Sequence, residues 1–189
     1  MTGRLDREMI GRTARRGWWL PALGATGPAP SLARYLELFG RFVGEWTIYP
    51  PGPARPDGSN RRPVGTVSVR WVLGGTAVQD VWGPTDGGSG RTVPVGTTVR
   101  FYDRTLRAWR STWICPYDRS VRRFLGREER GRIVLRELDG GPRQERWIFS
   151  EITASGFRWH AEARPRAGAP RRVIEQYVIR RRRSTAAGA

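Results

Sequence analysis

With 189 residues and 38% hydrophobic content the chain suits one domain with a sizeable core, and nothing in it suggests two. A single cysteine, Cys115, excludes an internal disulfide and a cysteine-based metal cage, and a single histidine, His160, argues against a conventional zinc site. The formal charge of +17 invites a nucleic-acid reading, but all 34 basic residues are arginine and they are spread over most of the chain. Arginine beside abundant Ala, Gly and Pro is what a GC-rich coding sequence yields whatever the function. We therefore read a solvated basic surface and disfavour a nucleic-acid partner, despite denser groups at Arg15 and Arg16, at Arg122 and Arg123, and from Arg180 to Arg183.

Residues 1–30 read as a flexible N-terminal arm ending in the linker "PALGATGPAP". The arm is basic but has no uninterrupted apolar stretch of the leader type, and no run is long enough to cross a bilayer, so a cytoplasmic location with no membrane span is expected. Ser31 is placed to cap a helix in which Leu32, Tyr35, Leu36 and Phe39 recur at i, i+3, i+4 and i+7, with Gly40 closing it. At Val43 the period changes to two, and "VGEWTIY" sets Trp46 on one strand face with Gly44 and Ile48. A helical plug feeding a barrel wall fits this handover.

Strand-like runs then recur: "VGTVSVRWVL", "TAVQDVW", "GTTVRFYD", "RAWRSTWIC", "SVRRFLGRE", "RIVLREL", "QERWIFSEI", "GFRWHAEA" and "RRVIEQYVIRR". Their separators are turn-rich, as in "PPGPARPDGSNRRP", "GPTDGGSG", "DGGP" and "RAGAP". The predicted fold is all-β: a single antiparallel meander of about ten strands over residues 31–183, closed into a barrel because closure removes the edges. The tail at 184–189, "STAAGA", is expected to be disordered.

The order of these blocks resembles a group of bacterial calycin-like β-barrel proteins of uncharacterised function. The residues that carry the resemblance are "GEW" after a short helix, "RWVLGGTAVQDVW", "GTTVRFYDRTLRAWRSTW", "FSEITASGFRWHAEA" and "EQYVIRR". It implies a barrel related in shape to lipocalins, fatty-acid-binding proteins and nitrobindin, without bringing a reaction. It also implies that the Gly-x-Trp tryptophan, Trp46, plugs the closed end beneath an arginine of the last strand, Arg180 or Arg181.

Function is then sought in the lumen, where alternation sorts the side chains. Trp109, Ser111, Trp113 and Cys115 share one face, as do Asp80 with Trp82, Trp147 with Phe149, Phe157 with Trp159, and Glu175 with Tyr177. So many aromatics either fill the barrel as core or line an apolar pocket. Polar groups on the same faces favour a pocket, because buried charge is costly without partners. The candidate ligand-binding residues are Trp82, Trp109, Ser111, Trp113, Trp147, Phe149, Phe157, Trp159 and Glu175, and the expected ligand is a small hydrophobic or aromatic molecule.

An enzymatic alternative assigns Asp80 as general acid or base, with Tyr102 or Tyr177 as its hydrogen-bond partner, in a cofactor-free cyclase, isomerase or hydratase. Pairing of Asp80 with an inward arginine such as Arg100 is the structural alternative. No nucleophile elbow, phosphate loop, dinucleotide fingerprint or metal motif is present in the sequence, so no cofactor and no metal are expected. Haem held through His160, as nitrobindin-like barrels would imply, is a third reading. Alternation opposes it, since His160 faces away from Trp159 and towards solvent beside Arg158 and Glu162. A homodimer is an open alternative for the assembly.

Overall fold

The computed structural model describes residues 23–52, 62–86, 89–139 and 141–182. Arg15, Arg16, Arg183, the 184–189 tail and most of the "PPGPARPDGSNRRP" separator lie outside the described residues. A short 3-10 turn at Pro30–Leu32 leads into helix α1 (Ala33–Gly40). Ten strands follow: β1 (Gly44–Tyr49), β2 (Gly65–Val72), β3 (Ala77–Pro84), β4 (Gly96–Asp103), β5 (Ala108–Cys115), β6 (Ser120–Glu129), β7 (Arg132–Glu137), β8 (Arg146–Ser150), β9 (Gly156–Ala163) and β10 (Arg172–Arg181). Each strand pairs antiparallel with its sequence neighbour, and β1 pairs with β10 to close the barrel. The meander is thus the one that the alternating pattern predicts, with strand ends shifted by a residue or two.

The helix differs from its sequence reading at both ends. Pro30 starts a 3-10 turn, so Ser31 lies inside that turn and Leu32 occupies the N-cap position without a side-chain bond. Gly40 is the last helical residue, followed by Arg41 in right-handed geometry, so it is no left-handed cap. It is small because the Trp71 indole packs against it: a Cβ there would fall 2.6 Å from the ring. The segment ahead of the helix is tied to the β2–β3 hairpin, with Ala25 N–H donating to Trp71 O and Ala29 N–H to Gly75 O, both at 2.9 Å.

Helix α1 buries Leu36 and Phe39 completely and seals the barrel end where β1 begins. Phe39 meets Trp109 at 4.9 Å and Phe149 at 5.7 Å between ring centres, Phe42 meets Phe157 at 4.7 Å, and Trp46 meets Phe157 at 5.1 Å. Each such ring removes roughly 150–250 Å² from water, which makes this end a solid apolar floor. Trp46 is fully buried, donates its indole N–H to Phe42 O at 2.7 Å, and carries the Arg181 guanidinium 4.0 Å above its ring. Arg181, rather than Arg180, is therefore the last-strand arginine that covers the tryptophan. Among the described residues no helix is long and apolar enough to cross a membrane.

Candidate functional site

Above the aromatic floor the barrel is not filled. A cavity of about 440 Å³ remains, with Phe39, Phe42, Phe149 and Phe157 at its base. Val67, Val69, Val78 and Ile179 contribute aliphatic wall, and Trp82, Trp113, Trp147, Trp159 and Tyr177 the aromatic wall. The five aromatic residues form a continuous arc from β3 to β10. Successive ring centres are 6.4 Å apart for Trp82 and Trp113, 6.0 Å for Trp113 and Trp147, 5.7 Å for Trp147 and Trp159, and 5.9 Å for Trp159 and Tyr177. These separations are those of favourable edge-on and offset stacking, so the arc is a rigid surface. It arises from period-two alternation on β3, β5, β8, β9 and β10, which turns every second large side chain inward.

The polar groups fall at two levels. Deep in the cavity, Arg100 donates through Nη1 to Asp80 Oδ2, and the Thr98 N–H donates to Asp80 Oδ1 at 3.2 Å. Both side chains of this ion pair are nearly buried, at 6% and 11% exposed. Arg100 also lies 5.1 Å over the Phe39 ring. Its Nε is buried and has no hydrogen-bond partner among the described residues, and the same holds for Ser111 Oγ on the neighbouring strand position. Two unmet buried polar atoms on adjacent strands are a local cost of folding.

At the open end stand Asp118, Arg122, Glu145 and Glu175. Arg122 pairs with Glu145. Burial works against the Arg122 charge, but the hydrogen bond and charge of Glu145 outweigh it and hold the guanidinium above its ordinary pKa. Asp118 accepts from the Ser120 N–H at 3.0 Å, and the hydrogen bonding from Ser120 leads the causes that lower its pKa. The Tyr177 hydroxyl donates to Glu175 Oε1 at 2.8 Å. Burial, then the bond to Glu175 and its charge, push the Tyr177 phenol far above its ordinary range.

Of the residues singled out from sequence, Asp80, Trp82, Trp113, Trp147, Phe149, Phe157, Trp159, Glu175 and Tyr177 line this cavity. Trp109, Ser111 and Tyr102 do not. Trp109 is consumed by packing against Phe39, and Tyr102 stacks on Tyr35 of α1 at 5.1 Å. Neither Tyr102 nor Tyr177 bonds to Asp80, whose partners are Arg100 and Thr98. His160 lies off the cavity, 3.4 Å from Glu162 Oε1, so a haem in the lumen would receive no ligand from it. Among the described residues no cluster of His, Cys, Asp and Glu is arranged to hold a metal ion.

Sequence reasoning missed Arg122, Glu145 and Asp118. Glu145 shares its parity with Trp147 and Phe149, and Arg122 shares its own with the buried Phe124, so a signal for both existed. Asp118 sits in the β5–β6 turn, where alternation gives no information.

No family model matches the chain, and no curated protein is similar enough to match it. Among solved structures the chain is similar to Rv2717c from M. tuberculosis at 13% identity and a TM-score of 0.47, over 82% of this chain and 99% of that one. At that level the similarity speaks to neither ligand nor reaction.

Proposed function

We propose that the protein binds a small, largely apolar or aromatic molecule inside the barrel. The observation that carries this reading is the unfilled 440 Å³ lumen, walled by an aromatic arc and supplied with a few convergent polar atoms. The calycin-like resemblance belongs to the same proposal, supported by the Gly-x-Trp opening and by the Trp46–Arg181 contact. So do the boundaries of the barrel domain at 31–183. Catalysis through Asp80 is less well supported, because the carboxylate is held in a buried ion pair with Arg100 and neither tyrosine is its partner.

The test is titration with N-phenyl-1-naphthylamine, an uncharged apolar fluorophore, while following its emission and the quenching of protein tryptophan. Saturable binding with tryptophan quenching is expected. Trp113→Ala should weaken it at least tenfold while circular dichroism still reports a folded barrel. Absence of binding to the wild type, together with tryptophans that resist acrylamide, would show a packed core and end the proposal.

A further inference from the structure

The lumen reverses the charge of the molecule. The chain as a whole carries +17, yet the cavity is lined by four carboxylates, Asp80, Asp118, Glu145 and Glu175, against two guanidiniums, Arg100 and Arg122. Both guanidiniums are already matched, Arg100 by Asp80 and Arg122 by Glu145. That leaves Asp118 and Glu175, neither of which forms an ion pair among the described residues, although Asp118 still feels the Arg122 charge. Both stand at the open end, and Glu175 is fixed by Tyr177, whose ring stacks at 15° on Trp159. The excess negative charge therefore borders the aromatic arc. Carboxylates at the mouth of an aromatic-walled cavity are the chemistry that recognises an organic cation, because the ring quadrupole and the carboxylate both attract it.

The buried Arg100 also lines the cavity, but Asp80 already balances its charge, so it does not call for an anionic guest. The surface arginines could repel a cation from outside, but over more than about 8 Å that repulsion is screened at physiological ionic strength. Rim carboxylates in contact with the ligand act well inside that distance.

We infer that the barrel selects a cationic ligand: an amine with an aromatic or apolar body, its ammonium group at the acidic rim and its body against the tryptophan arc. This rests on the cavity-binding reading above and adds the charge of the ligand. It is tested by calorimetric titration with three probes sharing one body: naphthylethylammonium, naphthylethanol and naphthylpropanoate. The ammonium should bind at least tenfold more tightly than the alcohol, and the carboxylate most weakly. Glu175→Gln and Asp118→Asn, both conservative changes at the barrel mouth, should each reduce the preference for ammonium over alcohol at least threefold. Equal binding of ammonium and alcohol, tightest binding of the carboxylate, or a preference untouched by both substitutions would overturn the inference. Because the alcohol is uncharged, its binding reports on the cavity alone. Alcohol binding without an ammonium preference removes the charge selectivity and keeps the cavity, whereas failure of all three probes removes both.

Discussion

Arg181 holds Trp46 from above while binding three backbone carbonyls. Its guanidinium carbon lies 4.0 Å from the indole centre, and its nitrogens donate to Ala154 O at 2.7 Å and to Val43 O and Arg41 O at 2.9 Å. One side chain of β10 thereby joins the end of α1, the start of β1 and the β8–β9 turn. A lysine could place its charge over the ring but could not reach three carbonyls with a fixed fork. Arg181→Lys should lower stability by about 2 kcal/mol, allowing for partial solvent exposure of the bonds. Thermal unfolding checks this, and the affinity for naphthylamine probes should not change. An unaltered melting temperature would show that the clamp is incidental.

The barrel was legible in the sequence because period-two alternation and turn residues are local signals. They reached nearly every strand, including Gly96–Asp103 and Gly156–Ala163 to the residue. What local patterns could not show was depth along the barrel axis. Trp109 and Trp113 share a face of β5, yet Trp109 belongs to the plug against Phe39 and Trp113 to the cavity wall. That distinction depends on how far α1 enters the barrel, which is a tertiary quantity. The Asp80–Arg100 pair was legible only as an alternative, because register between β3 and β4 decides which arginine meets the aspartate.

Breaking that pair should be costly. Asp80→Asn leaves the Arg100 charge almost buried and unmatched, a situation that typically costs about 3–5 kcal/mol. Replacing both members together, Asp80→Leu with Arg100→Met, removes the charge as well as its partner and should recover most of the loss. Chemical denaturation of the two variants makes the comparison. A double variant as unstable as Asp80→Asn would mean that shape, and not charge, is what the site requires. If the protein is a carrier, Asp80→Asn should still bind naphthylethanol within a few-fold of the wild type.

Gly96 gives a way to narrow the cavity without touching its polar groups. It starts β4 directly beneath the Trp113 indole, and a methyl group there would overlap the ring. Gly96→Ala should push Trp113 towards the lumen, since the flexible partner of the clash is a side chain that borders open space. Naphthylamine affinity should fall at least fivefold for a stability change of about 1–2 kcal/mol. Undiminished affinity would place the ligand elsewhere in the barrel.

Tyr177 supplies a titration that can be separated by difference from those of the other tyrosines. Burial first, and then the hydrogen bond to Glu175 and its negative charge, raise the phenol well above the ordinary value of 10.0. A folded-state pKa raised above the unfolded one means that the proton is held more tightly in the native protein. The associated stability is fully present below pH 10.0 and is lost as the pH rises above it. Phenolate absorbance of the wild type minus that of Tyr177→Phe isolates this one group, and its midpoint should lie well above 10.0. Glu175→Gln removes the charge while burial remains, so it should bring the midpoint down only part of the way. A difference midpoint at or below 10.0 would mean that Tyr177 is neither shielded nor bonded to Glu175 in solution, and the rim would lose the ring that orients its carboxylate.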